Sequence, residues 1–236
     1  MTHIERSAID LELATRQWDG YVTALRAEGW ETIEVPPADD CPDAVFVEDT
    51  VVVYGDLAVI ARPGADQRKP ETAAVESGLG GLGYRIARIE EPGTLDGGDV
   101  LKHGGTVWVG LGGRTNRSGL EQLSAALEPA GARVVGVPLT KVLHLKSAVT
   151  ALPDGTVVGY PTLVDDRDVW EAFLEVPEEA GSHVVILDDH SVLMSTSAPR
   201  SAALFTDRGL RVVAVDLTEY EKLEGCVTCL SVRLRG

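Results

Sequence analysis

The stretch Val100-Leu-Lys-His-Gly-Gly-Thr-Val-Trp-Val-Gly-Leu111 decides the fold. Two apolar runs flank Gly104-Gly105, a pair that allows the positive backbone angles of a two-residue hairpin turn. A helix start follows in Ser118-x-x-Glu121, where hydroxyl and carboxylate can satisfy the first free backbone donors. Gly131 reads as the end of that helix, and Arg133-Val-Val-Gly-Val137 as a closing strand. The unit is ββαβ. The same theme recurs at Gly55-Asp56, Asp154-Gly155 and Asp189-His190, and the steps from 55 to 105 and from 105 to 155 both span 50 residues. Further helices read from Pro70 and Pro199, since proline suits a first helical position. Gly209 precedes another closing strand, Arg211 to Val215. The third unit is less regular, with a short helix expected over Asp168 to Leu174. Such a repeat, unlike a doubly wound sheet, buries the faces of its units against one another in a closed ring.

Upstream, Leu11, Ala14, Trp18, Tyr21, Val22 and Leu25 recur at spacings of three and four, which predicts a helix from Asp10 to Glu28. A strand over Thr32 to Val35 should follow, stopped by Pro36-Pro37. No linker or low-complexity stretch interrupts the 236 residues, so the expectation is one domain over 1–236. With 37 acidic against 21 basic residues the net charge is −16, which disfavours nucleic acid and anionic membranes as partners and favours a small cation. The opening residues lack a secretory pattern, and no apolar run approaches the roughly 20 residues of a membrane span. A soluble, cytoplasmic protein is expected.

The three cysteines, Cys41, Cys226 and Cys229, do not make a disulfide framework. Cys226 and Cys229 form a Cys-x-x-Cys pair with no second ligand pair at zinc spacing, and the pair lies in a strand-like run instead of opening a helix. A buried structural thiol, a redox or metal pair and a catalytic thiol all remain open on spacing alone. His144 interrupts an apolar run in Lys141-Val-Leu-His-Leu-Lys-Ser147, a pattern shared by packed core histidines and by bases. Carboxylates break strand-like sequence at Asp43-Ala-Val-Phe-Val-Glu-Asp49 and at Leu95-Asp-Gly-Gly-Asp99. In the second of these, Gly97-Gly98 lets other groups approach the backbone closely. Arg62, Arg68 and Arg114 follow the same hairpins. Acidic groups for a cation and arginines for a carboxylate thus recur together.

These motifs carry a resemblance. Phe46-Val-Glu-Asp49, Arg62-Pro-Gly64, Gly93-Thr-Leu-Asp-Gly-Gly-Asp99, Arg114-Thr-Asn116, His144-Leu-Lys146 and Val227-Thr-Cys-Leu-Ser231 resemble, in order and across nearly the whole chain, the bacterial dimethylarginine dimethylaminohydrolases. These belong with the arginine deiminases and amidinotransferases in the guanidino-group-modifying superfamily. The resemblance implies an α/β fold, a five-bladed α/β propeller of ββαβ modules (the pentein fold), with the last module closed by the N-terminal segment. It implies Cys229 as nucleophile, His144 as general acid and base, and Asp96 as a catalytic carboxylate that binds the guanidinium with Asp49, Glu48 lying close by. Asp43 would help hold the α-amino group, Arg68 and Arg114 the α-carboxylate, Phe46 the wall of the site, and the Leu223 carbonyl a further contact. The implied reaction converts an Nω-methylated arginine to citrulline and a methylamine through a covalent thiouronium, with no metal or organic cofactor. A hydrolase of another arginine derivative, an arginine-binding protein and a thiol or zinc sensor are the competing readings; a homodimer is left open. Relatives often carry Glu at the Asp96 position and Gly at the Cys226 position. They also have a strand and lid loop ahead of the first helix. The last module is therefore expected to combine a strand at Val227 to Leu234, the first helix and the strand at Thr32 to Val35, one strand short.

Overall fold

The computed structural model describes residues 8–234. In chain order the elements are α1 (Leu11–Ala27); β1 (Val51–Tyr54), β2 (Leu57–Ile60), α2 (Thr72–Gly81) and β3 (Arg85–Arg88); β4 (Val100–His103), β5 (Thr106–Leu111), α3 (Arg117–Leu127) and β6 (Arg133–Pro138); α4 (Leu145–Ala148); β7 (Val149–Ala151), β8 (Val157–Gly159) and β9 (Phe173–Glu175); β10 (Val184–Asp188), β11 (Ser191–Ser195), α5 (Pro199–Asp207) and β12 (Arg211–Val215); and α6 (Thr218–Glu221). The strands form four three-stranded sheets, each in sequence order. In every sheet the first pair is antiparallel and the second parallel. With α2, α3 and α5 before the last strands of three of them, this is the ββαβ repeat expected from the turn spacing; the β7–β9 sheet lacks the helix. Gly104 and Gly105 adopt φ of 55° and 80°, the left-handed geometry a tight hairpin requires.

The chain divides into two compact units. One comprises Val35–Lys146 and Cys229–Gly236. It holds the first two modules, and alternate residues of its first hairpin feed two cores. Val51, Val53, Ala58 and Ile60 pack with Val75 and Leu79 of α2. Val52, Leu57 and Val59 pack with Val100, Val107 and Val109 of the next hairpin and with Leu123 and Leu127 of α3. Strands buried on both faces read as continuous apolar sequence, as these do. Helix α3 is capped by Asn116, whose side chain accepts from the Gly119 N–H at 2.8 Å, so the start signal is Asn116 and not Ser118.

The other unit comprises Met1–Glu34 and Ser147–Thr228. Its core joins Leu152, Val158, Val176, Val184, Val192, Met194 and Phe205. Helix α1 begins after Asp10, which accepts from the Leu13 N–H at 3.0 Å, and the predicted helix over 10–28 is present. The helix expected over Asp168 to Leu174 is absent. A short 3₁₀ turn at Arg167–Val169 gives way to β9, and the Trp170 and Phe173 rings stack at 5.9 Å. Pairing with β8 and burial of Trp170 outweigh a short helical pattern.

The last module differs most from expectation. Neither Thr32–Val35 nor Val227–Leu234 is a strand. An extended segment becomes a strand through its ladder, and these two segments have none. Ile33 and Val35 are instead 68% and 40% exposed. The strand and lid loop that relatives have ahead of the first helix would fall on residues up to Ser7, which lie outside the described residues. Among the described residues no helix is long and apolar enough to cross a membrane.

Candidate active site

The polar interruptions noted in the sequence converge within the unit that contains His144 and Cys229. A 3₁₀ turn at Val47–Thr50 opens β1 and buries the consecutive carboxylates Glu48 and Asp49. Its Glu48 N–H donates to the Cys229 carbonyl at 3.1 Å, which fixes the backbone of the cysteine. A second 3₁₀ turn, Gly97–Asp99, packs against the first. The reason for two glycines is proximity and not dihedral angle. A Cβ at Gly97 would stand 2.0 Å from the Glu48 carbonyl oxygen; one at Gly98 would stand 2.5 Å from Asp49 Oδ1 and 2.9 Å from the His144 ring. Through that gap the Gly98 N–H donates to Asp49 Oδ1 at 2.8 Å.

His144 sits between carboxylates. Its Nε2 is 2.9 Å from Asp96 Oδ2 and its Nδ1 3.8 Å from Asp49 Oδ1. Burial alone would push the imidazole toward neutrality, but the charge of Asp49, the Asp96 hydrogen bond and the charges of Asp99 and Asp96 prevail, raising its pKa to about 9. Asp96 is 0% exposed. Burial pushes its carboxyl up, yet the hydrogen bond and charge of His144, the Gly64 N–H at 2.9 Å and Arg114 Nη1 at 3.4 Å hold it below the usual range. Asp99 goes the other way: burial outweighs His144 and the Thr115 bond, and the carboxyl rises to about 7.

Glu48 is held by Lys146 Nζ and Arg233 Nη2, each 2.6 Å from Oε1. Burial opposes its charge, and the two cations overcome that and depress its pKa. Among the described residues its Oε2 is buried without a hydrogen-bond partner. Phe46 is buried beside this turn, and Asp43 offers its carbonyl to Arg68 Nη2 at 3.1 Å.

Arg68 departs from its expected place at a substrate carboxylate. Its guanidinium bonds Asp49 Oδ2 at 2.5 Å, Glu71 Oε2 at 2.7 Å and the carbonyls of Asp43 and Phe46. Burial works against the charge, but Asp49 and Glu71 reverse that and hold Arg68 firmly protonated. A guanidinium so committed fixes Asp49 in place. Arg114 has a 13% exposed side chain and, among the described residues, one long contact to Asp96, so it has donors to spare. Leu223 and Cys226 belong to the other unit; Leu223 is 38% exposed, and Cys226 Sγ lies 3.3 Å from Thr228 Oγ1.

Ligand atoms of Asp49, Asp96 and His144 lie within 4.8 Å of one another, a spacing that suits a metal ion. The chemistry suits one less well. Gly98 N–H and Arg68 occupy the two Asp49 oxygens, Gly64 N–H and His144 the two of Asp96. A metal would also need His144 unprotonated, against its raised pKa.

Sequence reading missed Glu71, Thr115 and Arg233, and gave Asp99 and Lys146 no role. Asp99 alone carried a signal, a carboxylate directly after Gly-Gly and before an apolar strand.

Repeated ββαβ modules and a buried histidine clasped by carboxylates, on a chain with a backbone-anchored cysteine, define an α/β-propeller protein of the guanidino-group-modifying class. No protein-family model matches the chain. It is 61% identical, over 100% of its own length and 91% of the relative's, to an N(G),N(G)-dimethylarginine dimethylaminohydrolase of Streptomyces coelicolor. It therefore belongs to the dimethylarginine dimethylaminohydrolase family. Among solved structures, a dimethylarginine dimethylaminohydrolase adduct with S-methyl-L-thiocitrulline superposes with a TM-score of 0.92 at 32% identity, covering 99% of this chain and 93% of that one. A cysteine-to-serine mutant of the Pseudomonas aeruginosa enzyme, complexed with citrulline, gives the same TM-score, identity and coverage.

Proposed function

We propose that the protein hydrolyses an Nω-methylated arginine to citrulline and a methylamine, with dimethylarginine as substrate. The observation that carries this reading is the charged, buried His144 held between Asp49 and Asp96. A guanidinium carbon is a poor electrophile, because its charge is delocalised, and a nitrogen leaves it only as a protonated amine. An imidazole protonated near neutral pH supplies that proton. The same charge favours the thiolate of a neighbouring cysteine, whose ordinary pKa is about 8.5.

Cys229 Sγ attacks the guanidinium carbon and forms a tetrahedral centre. The C–N bond to the methylated nitrogen breaks as His144 delivers its proton, leaving a thiouronium on Cys229. His144, now neutral, takes a proton from water; the hydroxide adds to the carbon, and the C–S bond breaks to return the thiolate as the added hydroxyl gives its proton to solvent, leaving citrulline. Asp49 and Asp96 use the second lone pairs of their oxygens to accept from the guanidinium N–H groups and hold the carbon in line with sulfur, where orientation contributes much of the rate. Glu48 supports the same end. Arg114 takes the α-carboxylate in a bidentate pair, Asp43 the α-amino group, and Phe46 walls the aliphatic stem. Arg68 serves this reading by fixing Asp49. The thiolate, imidazole and carboxylates supply every step without a cofactor.

The reading extends to the whole chain, residues 1–236, serving this one activity in the cytoplasm. Its charge of −16 supports a cationic amino acid over nucleic acid or membrane. A panel of arginine, monomethylarginine and both dimethylarginines, read out as citrulline, tests it. Fastest release from asymmetric dimethylarginine is expected. Citrulline from arginine alone would make the protein a deiminase, and no citrulline with stoichiometric zinc would make it a sensor.

A further inference from the structure

Asp99 has no part in the chemistry described so far, yet it is fully buried beneath it. Its two oxygens are used differently. Oδ2 accepts from the Thr115 hydroxyl at 2.6 Å, and Oδ1 accepts from the Leu145 N–H at 3.0 Å. The Thr115 oxygen in turn accepts from the Asp96 N–H at 3.1 Å. Asp96 Oδ2 meets His144 Nε2, and His144 is the covalent neighbour of Leu145. The contacts close a circuit: Asp99, Thr115, Asp96, His144, Leu145 and back to Asp99. Gly110 of β5 seals it, since a Cβ there would stand 2.8 Å from Asp99 Oδ1 and 3.0 Å from Leu145 Cβ.

We propose that Asp99 is a positioning residue for the reaction, setting Asp96 through Thr115 and His144 through Leu145 so that the two meet at proton-transfer distance. The proposal rests on the hydrolytic reading above for its kinetic consequence, though not for its geometry. A carboxylate is needed because both partners donate. An amide presents one acceptor, so Asp99→Asn must either turn an N–H against the Leu145 N–H or force the Thr115 hydroxyl to abandon its direction. The charged groups around His144 are Asp49 from the first 3₁₀ turn, Asp99 from the second and Asp96 just before it, Arg68 behind Asp49, Arg114 behind Asp96, and Lys146 two residues on. Asp99 adds negative charge on the histidine side of that set, and its removal moves the imidazole titration to lower pH.

The test uses Asp99→Asn, Thr115→Val and Thr115→Ser in the full chain. It measures kcat and KM for citrulline release, the pH profile of kcat, and the His144 imidazole titration by NMR without substrate. Asp99→Asn and Thr115→Val are expected to lower kcat by at least about tenfold, as small misplacements of catalytic groups do. KM should stay within about threefold, because Asp49 keeps Arg68 and Gly98. Thr115→Ser keeps the hydroxyl and should retain kcat within about threefold of the parent. In Asp99→Asn the high-pH limb of kcat and the His144 titration should both move to lower pH. Unchanged kcat in Asp99→Asn overturns the proposal, as does an unmoved His144 titration or equal loss in the two Thr115 variants. If Asp99→Asn fails to fold, the Thr115 pair decides. A parent protein that releases no citrulline overturns the substrate reading alone, since the titration is read without substrate.

Discussion

Two buried polar networks, one in each unit, show how a site differs from a support. In the unit that begins with α1, Glu219 accepts from the Asp10 N–H at 2.9 Å and from Lys222 Nζ at 2.7 Å, its own N–H reaches Gln17 at 3.0 Å, and Gln17 also bonds Thr218. The Glu219 carboxylate has a cation of its own and no imidazole to share, and the Lys222 hydrogen bond holds it below its usual range. Such a network stays in one protonation state at neutral pH. Around His144 the partners are shared: Asp96 serves Gly64, Arg114 and His144, and Asp49 serves Arg68, Gly98 and His144. The surrounding carboxylates bring His144 to about 9, and burial brings Asp99 to about 7, where protons can move under working conditions. An acid and a base displaced toward neutral pH within one buried cluster mark chemistry.

The sharpest way to break this contrast uses two cysteines three residues apart, one in each unit. Cys229→Ser should abolish citrulline release, with losses on the order of 10³-fold or more, while Cys226→Gly stays within a few-fold of the parent. Equal loss in both would turn the pair into a redox or metal unit. The next effect concerns stability. Arg68→Ala leaves Asp49 and Glu71 buried without their cation, which costs about 3–5 kcal/mol, whereas Lys222→Ala removes a half-exposed partner and should lower Tm far less. Thermal unfolding of both variants side by side decides it; similar shifts would mean the two networks carry the same burden.

Arg114→Lys replaces a planar fork with a point charge and should raise KM for dimethylarginine about tenfold. Methylguanidine, which has no carboxylate, should change little; parallel loss on both substrates would make Arg114 structural. The smallest effect is a slope. His144 has a folded pKa raised above its unfolded value near 6.5, so its contribution to stability is complete below that pH and is lost as pH rises toward 9. Urea unfolding between pH 6 and 9 should show this decline in the parent and a flatter line in His144→Gly.

The repeat was legible because turn residues and strand runs are local. Gly104-Gly105 and Pro199 mark elements within a few residues of themselves, and both appear where expected. The misreadings came where a segment's fate depends on distant partners. Thr32 to Val35 and Val227 to Leu234 have strand-like sequence but no ladder, and the Asp168 pattern yields to pairing of β9 with β8. The site followed the same division. Asp49, Asp96 and His144 stood out as polar residues in apolar runs. That Arg68 would face Asp49 and Glu71, and that Thr115 would link Asp96 to Asp99, depends on contacts across 16 to 19 residues, apart from the local Arg68–Glu71 pair. An arginine's sequence position does not disclose which carboxylate claims it.

Position 98 has room for a hydrogen atom and nothing larger, with a carboxylate oxygen on one side and the imidazole on the other. Every missense change at its codon installs a carbon there. Asp49 and His144 therefore cannot be tuned from that position by gradual steps, because the smallest available change displaces both at once. In a diverging lineage this codon should stand still while the chemistry is kept and begin to drift once it is lost, so its state reports whether a distant copy of the gene still encodes a working enzyme.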